Sequence, residues 1–533
     1  MHAHRARAVA RRQLLLSPAP AAMALLAMAI LAAWEVAATA AGAERTSTRD
    51  PTELFVSSSP TGSDRQRQRH DPRRLGQPPP PLLLTEMTTM QQMRVRALRH
   101  DLPLSVALAA LHADATALFV GNSSWVDGPG PWSVTDKTHY VAASGDVHDY
   151  FSTAKYCWPC NTSCSHKLFP GKECNAWLSG RDYHPHNCDN STGLPWLCHD
   201  GFANPISADL DSGSWAELAN AVPTLALSAF LADNEQHARR AVNLTRSWFL
   251  DPNTAMRPNL EHAQSIPGLN NGTHGGIIEW SDHHKLLDVL DGLTLLSASP
   301  NDTVASTWTS DDREKMMQWV AQLNEWMRSS NNAKKELSST NNHGTWFDVM
   351  ALGLAKYLSR SHDADMICQA APQKRIAKQV SGPNHGLPPG ALPLEDRRTN
   401  TEHYHSQDTA GLLTLAQLCR SIGNHVPDLY TVEVKPEKNA RQHLGNDTVS
   451  LRDVVDFVLP FISNVTGPRQ LWPFGEAGES EPFYWAQVMR KAANGYKNLT
   501  YERVFQGLPQ DKNIGMLQSQ KYQLDLLQPF GSM

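Results

Sequence analysis

Three polar side chains stand immediately ahead of an apolar run in the segment TNNHGTWFDVMALGLAKYLS, residues 340–359. They are Asn341, Asn342 and His343, and the apolar positions from Trp346 to Tyr357 fall on one face of a predicted helix. Free backbone N–H groups and the helix dipole favour an anion at such a position. Taken alone, the cluster is also explained by an Asn that caps the helix and a solvated loop histidine.

A second polar cluster precedes another predicted helix in RRTNTEHYHSQDTAGLLTLAQLC, residues 397–419. Its groups are two guanidiniums, two imidazoles and a phenol, from Arg397, Arg398, His403, Tyr404 and His405. One further helix, predicted at about residues 363–380, separates the two clusters. In an up-down-up stack the first and third helices begin at the same end. We therefore expect both clusters to lie at one mouth of the domain and to share a ligand.

The pooled groups suit abstraction of the proton on carbon 5 of a uronic acid, next to its carboxylate. Amides, a guanidinium and a helix N-terminus stabilise the negative charge that develops there. A tyrosine or a histidine can remove the proton, and a tyrosine can protonate the departing glycosidic oxygen. Because the unperturbed pKa of tyrosine is about 10, a base role requires neighbouring positive charge, which Arg398 and the histidines would supply.

The elements that must position these clusters are predicted to be helices. Apolar residues recur at helical spacing from about residue 82 onward, and alternating strand patterns are scarce. Thr345 followed by Asp348 predicts a helix cap, and the helix of the second cluster is predicted to start near Ser406. Trp319 and Trp326 are interpreted as core residues of another helix. The sequence therefore predicts one all-α domain of stacked helical hairpins over residues 82–533.

The N-terminal segment has the pattern of a secretory leader. Residues 1–12 are mostly basic and residues 13–34 carry no charge, so we predict a signal peptide over residues 1–43, cleaved after Ala43. The uncharged stretch is also long enough to be a membrane anchor. Residues 44–81 are predicted to be a linker, because their Ser, Thr, Arg, Gln and Pro content cannot bury enough apolar surface. We expect a secreted or extracellular protein without membrane contact after cleavage.

Sequons and cysteines agree with an oxidising compartment. N-glycans are expected at the Asn-x-Ser/Thr sequons, which are Asn122, Asn161, Asn190, Asn243, Asn271, Asn301, Asn446, Asn464 and Asn498. Most of the cysteines are crowded into residues 157–198, which predicts a disulfide-stapled insertion within an irregular region at about residues 125–205. A zinc site is the rival interpretation of CWPC, residues 157–160, but no second pair follows at ligand spacing.

No metal, cofactor or nucleic-acid partner is expected. The motifs HDY (148–150), DHH (282–284) and HYH (403–405) lack ligand spacing on a shared helical face, so their histidines are interpreted as surface residues. A formal charge of −5, from 48 basic and 53 acidic residues, gives no overall field that would attract nucleic acid or an anionic membrane. Any anionic partner must therefore meet a local basic site.

Several blocks of the sequence resemble the alginate-lyase-like polysaccharide lyases, whose fold is an (α/α) toroid. NNHGTW at residues 341–346 matches the most specific motif of that family, and PLEDRRTNTEHY at 393–404 is similar to its Pro-x-Glu-x-x-Arg-Thr segment ending in His-Tyr. GPWSVTDK, SGDVHDYFSTAKYCWP, GLPWLCHDGFANP and NTAMRPNLEHAQSIPG also resemble family blocks and follow in the family's order. The resemblance spans most of the chain and implies a single toroid domain.

The resemblance implies β-elimination on a polysaccharide that contains uronic acid. Asn342 and Arg398 would neutralise the carboxylate, and His343 would act as the base or as a carboxylate partner. Tyr404 would be the acid and could also be the base, whereas His403 would orient the site. The chain departs from the family where PPGAL replaces an Asp-Gly and where the Cys-rich insertion interrupts the early blocks. These departures bear on the identity of the substrate more than on the type of reaction.

Further residues in the matching blocks are candidates for substrate binding, since sugar grooves commonly use aromatic and amide side chains. They are Lys137, Tyr150, Tyr156, Asn259, Gln264 and Trp346. Loop packing is the alternative explanation for these positions.

The sequence thus predicts a secreted polysaccharide lyase that acts on an anionic polymer of the alginate or glucuronan type. One alternative is an (α/α) toroid glycoside hydrolase, which would use two carboxylates such as Glu395 and Asp396. The other is a non-catalytic carbohydrate-binding wall protein that keeps the fold without turnover.

Overall fold

The computed structural model describes most of the chain beyond its N-terminal segment. The described residues are 80–118, 132–137, 141–161, 188–189, 191–206, 210–382, 387–437, 448–474, 482–508 and 520–530, and all of them belong to one compact unit. The predicted signal peptide and anchor, the linker up to residue 79, Cys164, Cys174 and the sequons at Asn122, Asn190 and Asn446 lie outside the described residues.

The described part of the chain is built almost entirely from helices, which confirms the predicted all-α class. The helices are α1 (Met87–Leu98), α2 (Leu102–Ala117), α3 (Asp211–Ala232), α4 (Glu235–Thr245), α5 (Ile278–Ser281), α6 (Lys285–Ser297), α7 (Asp302–Ala305), α8 (Ser310–Ser329), α9 (Asn331–Ser338), α10 (Asn342–Tyr357), α11 (Ser361–Ala371), α12 (Ala377–Gln379), α13 (Thr401–Arg420), α14 (Leu451–Ile462), α15 (Pro482–Tyr496), α16 (Leu499–Gly507) and α17 (Gln520–Leu527). Two short antiparallel strands, β1 (Cys157–Trp158) and β2 (Leu197–Cys198), form the sheet.

The helices form two layers. In the inner layer α3, α6, α10, α13 and α15 follow one another, each packed against the next. In the outer layer α4 packs on α3, α8 and α11 pack on α10, and α14 and α16 pack on α15. This alternation of inner and outer helices is the predicted stack of hairpins in an (α/α) toroid.

Helix starts follow from local sequence. Thr309 and Asp312 form a reciprocal capping box at the start of α8, and Ser450 and Asp453 do the same for α14. These caps supply partners for N–H groups that have no acceptor within the helix.

Aromatic side chains fill the core between the helices. The indole rings of Trp215 and Trp280 stack with centroids 3.8 Å apart, and Phe249 packs edge-on against Trp280 and Trp319. Trp319 is buried and Trp326 is partly buried against the same cluster, so both are core residues as predicted. Burial of such large rings is a main source of the stability of the array.

Two helix starts differ from their predicted positions. Helix α10 begins at Asn342, so Thr345 is an internal residue whose hydroxyl bonds to Gln379, and Asp348 pairs with Arg375 at 2.7 Å instead of capping. Helix α13 begins at Thr401, five residues earlier than predicted. Both polar clusters therefore lie partly within the first helical turns, where side chains are held more rigidly than in a loop.

The described cysteines are paired. Cys157 bonds to Cys198 and Cys160 to Cys188, so the zinc interpretation of the CWPC motif is wrong and the disulfide-stapled insertion is confirmed for these pairs. A third disulfide, Cys368–Cys419, joins α11 to α13 inside the core.

Helix α3 is long and apolar enough to cross a membrane, but most of its apolar window is buried inside the domain. It is therefore a core helix of the array.

Candidate active site

The N-termini of α10 and α13 form the floor of the candidate site. These helices pack side by side in the same direction, because Asn342 contacts Gln407 and, one turn later, Thr345 faces Gly411. The structure therefore brings the two predicted polar clusters to one end of the domain. The Asn342 side chain is almost fully buried and donates from its amide to the Gln407 side-chain oxygen at 2.7 Å. Its backbone N–H donates to the Glu395 carboxylate at 2.8 Å.

His343 is held by a carboxylate that sequence reasoning missed. Its Nδ1 lies 2.9 and 3.0 Å from the two carboxylate oxygens of Glu336, the buried acid near the end of α9. Burial alone would lower the pKa of His343, but Glu336 outweighs it, and the pKa is raised above the usual 6.5. Glu395 acts in the same direction, Arg398 opposes it, and His274 also faces this pair. With Nδ1 bound to Glu336, Nε2 points to the opposite side of the ring.

The Arg398 guanidinium lies over the Tyr404 ring, with its carbon 3.7 Å from the ring centroid. Two of its nitrogens donate to the Asp200 carboxylate at 2.6 and 3.0 Å. Burial raises the pKa of Tyr404 well above its usual 10.0, although Arg398 opposes this effect. In the free protein the positive charge of Arg398 does not outweigh the effect of burial on the pKa of Tyr404. Asp200 offsets the charge of Arg398, and Tyr404 stays protonated.

Tyr156 is the predicted substrate-binding residue that the structure places directly at the site. Its hydroxyl lies 2.7 Å from that of Tyr404. Gln264 is partly exposed and has a left-handed backbone with φ of 53°. Its side chain packs over Gly276, and a Cβ added there would lie 2.7 Å from it. Asn259 donates to the Asp149 carboxylate at 3.3 Å. Its amide therefore holds a loop, as in the alternative explanation.

The side chains of three other predicted binding residues are buried. Trp346 is fully buried in the helical core, and Tyr150 is buried edge-on against Trp280, 5.4 Å between centroids. The Lys137 ammonium group forms a buried ion pair with Asp211. These side chains pack the interior, so the prediction that they contact substrate does not fit their positions.

Histidine and tyrosine rings form a continuous wall beside Tyr404. The His403 ring meets Tyr404 edge-on at 4.8 Å and Tyr484 at 5.4 Å, and Tyr484 stacks on His283 at 4.0 Å. The Tyr484 hydroxyl donates to the carboxylate of Asp282 at 3.1 Å. His403 therefore lies where an orienting residue is expected.

The interpretation of the DHH and HYH histidines as surface residues is wrong for two of them. His284 is buried and its Nδ1 lies 2.7 Å from Asp288, while His405 is fully buried with Nδ1 2.7 Å from Asp396. An aspartate partner at Nδ1 offsets part of the cost of burying each ring. Within the described part of the chain, the Nε2 of His405 has no hydrogen-bond partner.

Glu395 and Asp396, the carboxylates on which a hydrolase mechanism would depend, are structural. Both are buried. Glu395 accepts the N–H of Asn342, and Asp396 binds His405 and the N–H of Leu392. An inverting hydrolase needs two carboxylates that flank the glycosidic bond with room for water, and this pair does not offer that arrangement.

Within the described ranges, no group of three or more His, Cys, Asp or Glu side chains is arranged to hold a metal ion.

Sequence reasoning missed Glu336, Asp200, Gln407, Asp282 and Tyr484. Asp200, Asp282 and Tyr484 reach the site from elements far from α10 and α13 in the sequence. Glu336 lies seven residues before His343 but on a separate helix, α9, and Gln407 lies on α13 one turn after Tyr404. The only signal available for Asp200 was its position in a block that resembles the family.

Comparison with known proteins places this geometry in a family. Residues 133–465 match the family model described as alginate lyase. No curated protein matches the chain by sequence. A solved structure of an alginate lyase from Bacteroides ovatus is 26% identical and has a TM-score of 0.65, with 84% of this chain and 99% of that chain covered.

Two more distant structures carry the same enzyme name. Alginate lyase A1-III from Sphingomonas species A1 is 14% identical with a TM-score of 0.36, covering 78% of this chain and 94% of that chain. A variant of alginate lyase A1-III complexed with a tetrasaccharide is 13% identical with a TM-score of 0.38, covering 78% and 93%. The chain belongs to the alginate lyase family and is a polysaccharide lyase.

Proposed function

We propose that the protein is a secreted lyase that cleaves an anionic uronate polysaccharide by β-elimination, leaving a 4,5-unsaturated uronate at the new end. The observation that carries this proposal is the meeting of His343, Arg398 and Tyr404 at one mouth, with the Arg398 guanidinium 3.7 Å from the Tyr404 ring. These are an imidazole, a cation and a phenol, the groups that elimination next to a carboxylate requires.

His343 is the proposed base. Glu336 binds Nδ1, so in the neutral ring the lone pair resides on Nε2, on the side away from Glu336. The raised pKa of His343 makes it a stronger base than an isolated imidazole and leaves a neutral fraction that grows with pH. In the reaction Nε2 takes the proton from carbon 5, and Glu336 stabilises the imidazolium that results.

Tyr404 is the proposed acid. Burial keeps its pKa well above 10.0, so the phenol holds its proton over the pH range in which His343 becomes neutral. The phenol gives this proton to the departing glycosidic oxygen as the bond from carbon 4 breaks. Arg398 and the helix N-terminus at Asn342 stabilise the negative charge that develops on the substrate carboxylate.

The proposed substrate is alginate, or another uronate polymer of the glucuronan type. The family name and the name of the Bacteroides ovatus structure support alginate. The Cys-rich segment places Tyr156 beside Tyr404. We propose that this segment gives the substrate groove a different shape from that of a family member without it, so the preferred polymer can differ as well.

The test is near-ultraviolet absorbance during incubation with polymannuronate, polyguluronate and glucuronan. Elimination creates a conjugated double bond, whereas hydrolysis creates none. We expect a rise with one of these polymers for the wild-type protein and for Glu395→Gln if it folds, and no rise for Tyr404→Phe. New reducing ends without a rise would overturn the proposal in favour of hydrolysis. Binding without any product would overturn it in favour of a non-catalytic wall protein.

Secretion is part of the proposal. The described disulfides support an oxidising compartment, and the exposed sequons Asn161, Asn271 and Asn464 are accessible for glycosylation. Expression with the native N-terminus in a secretory eukaryotic host tests it. We expect glycosylated protein in the medium with a new N-terminus after Ala43. Retention on the cell surface would indicate that residues 13–34 remain as an anchor.

A further inference from the structure

The Cys157–Cys198 disulfide lies between two residues that contact the active site. Tyr156 directly precedes the first cysteine, and Asp200 follows the second by two positions. The strands that carry these cysteines pair with Cys157 opposite Cys198. The His199 N–H also donates to the Tyr156 carbonyl oxygen at 2.8 Å. The crosslink and this pairing make Tyr156 and Asp200 parts of one unit.

This unit contacts the proposed catalytic residues at two points. The Tyr156 hydroxyl lies 2.7 Å from the Tyr404 hydroxyl. The Asp200 carboxylate accepts two hydrogen bonds from Arg398, at 2.6 and 3.0 Å, and one from the Thr399 N–H at 3.0 Å. These paired bonds fix the plane of the guanidinium, which lies against the Tyr404 ring.

The backbone beside Asp200 is shaped for this approach. Gly201 has a φ of +82°, and a Cβ added there would lie 2.7 Å from the Thr399 side chain. Only glycine tolerates both the conformation and the contact at this position. The strand pair is therefore docked closely on the segment that leads into α13.

The same unit packs outside the main helical core. Trp158 packs with Phe202 in a small cluster of its own, and neither Cys157 nor Cys198 belongs to the apolar cluster between the helices. Loss of the crosslink should therefore loosen the strand pair and leave the helical array folded. In the absence of the crosslink, more conformations compete with the docked one.

We infer that the Cys157–Cys198 disulfide sets the catalytic rate, and that Asp200 is the positioning residue through which it holds Arg398 over Tyr404. The inference names a further determinant of the proposed elimination and rests on that function for its kinetic test. The neighbouring Cys160–Cys188 disulfide provides the comparison. The Cys160 sulfur lies near the carbonyl oxygens of Asp189 and Leu194.

The first test compares two disulfide-deleted proteins, each with a pair of serines. In C157S/C198S we expect kcat for unsaturated product to fall by about tenfold or more, because small misplacements of catalytic groups cost that much, with a smaller change in KM. In C160S/C188S we expect both constants to stay within about twofold of wild type. Equal losses in the two proteins, or a wild-type kcat in C157S/C198S, would overturn the inference.

Asp200→Asn gives an independent test if C157S/C198S does not fold. The amide keeps the size of the side chain but removes the charge, so we expect the same loss of kcat at an unchanged melting temperature. Asp200→Glu, which restores the carboxylate, should recover part of the rate. A wild-type kcat in Asp200→Asn would overturn the role assigned to this residue.

Hydrogen exchange separates this inference from the proposed function. Backbone amides of residues 398–404 should exchange faster in C157S/C198S than in wild type, and this readout needs no substrate. If the wild type cleaves none of the polymers yet exchange is faster, the proposed function fails and the positioning role of the disulfide stands. If exchange is unchanged, the inference fails whatever the activity.

Discussion

The hydroxyl oxygens of Tyr156 and Tyr404 lie 2.7 Å apart, although the two residues are separated by 248 positions in the sequence. Tyr404 is buried in the first turn of α13, and its ring is covered by Arg398. The phenol therefore has the Tyr156 hydroxyl as a polar neighbour at its oxygen and a cation over its face. This position suits a group that holds its proton until a leaving oxygen replaces Tyr156 as its partner.

Tyr404→Phe should lower kcat by at least about 100-fold, because general acid catalysis contributes roughly 10²- to 10⁴-fold. KM should change little, since the ring and its contact with Arg398 remain. The measurement is the rate of unsaturated product at saturating polymer, with the melting temperature as the control for folding. Tyr501→Phe, a matched change on α16, should leave kcat unchanged. A Tyr404→Phe protein with more than one-tenth of the wild-type kcat would rule out the acid role.

Glu336→Gln should move the acidic limb of the pH profile of kcat/KM to lower pH. In the wild type the carboxylate raises the pKa of His343, so activity should fall as the pH drops through that raised value and the ring becomes protonated. Removing the negative charge lowers the pKa, and the neutral base then persists to lower pH. Near neutral pH we still expect a loss of about tenfold, because the ring is held less firmly.

The control for this profile is Glu325→Gln, an exposed acid on α8. Its profile should superimpose on that of the wild type. A wild-type rate that falls rather than rises as His343 loses its proton would show that the imidazolium neutralises the carboxylate. Tyr404 would then have to act as both base and acid.

Trp346→Phe should lower stability without changing KM. The indole is fully buried, so a smaller ring leaves a cavity that costs about 1 to 3 kcal/mol. Thermal unfolding and KM are the two measurements. Trp215→Phe, another buried indole of the core, should behave in the same way. A raised KM at an unchanged melting temperature in Trp346→Phe alone would restore the substrate-binding role that the sequence suggested.

The fold and the polar clusters could be predicted because both are encoded locally. Apolar residues at helical spacing reveal helices such as α10 and α13, and two similar polar clusters ahead of two helices indicate a shared mouth. The helix starts were less predictable. Thr345 with Asp348 has the spacing of a cap, but Asp348 pairs instead with Arg375, 27 residues further along the chain, which no local pattern reveals.

The partners that tune the site could not be predicted for the same reason. Asp200 lies 198 positions from Arg398, so no local pattern connects the two residues. Glu336 lies only seven positions before His343, but it is on a separate helix, and its sequence context is that of an ordinary surface acid. Trp346 and Tyr150 were predicted to bind substrate but are packing residues. They belong to motif blocks that resemble family blocks, but their burial shows that such blocks also contain packing residues.

Glu279→Gln should reduce the loss of stability between pH 5 and pH 8. Burial raises the pKa of Glu279 to about 7, above the usual 4.5, so its contribution to stability is full below 4.5 and is lost as the pH rises through 7. The carboxyl group accepts a hydrogen bond from the Ser152 hydroxyl, whose oxygen in turn accepts one from the Gln264 N–H at 2.8 Å. The carboxyl group therefore anchors a loop near the site. An amide cannot ionise, so the variant should lose about 2 kcal/mol less than the wild type over this range. Urea unfolding at both pH values measures the difference.

Asp291→Asn is the comparison. Burial also raises the pKa of Asp291 to about 7, and its carboxyl group accepts the N–H groups of Leu83 and Leu84, far from the loop that Glu279 anchors. Each variant should remove its own part of the pH dependence, and a Glu279→Gln protein with the full wild-type dependence would show that this carboxyl group titrates normally.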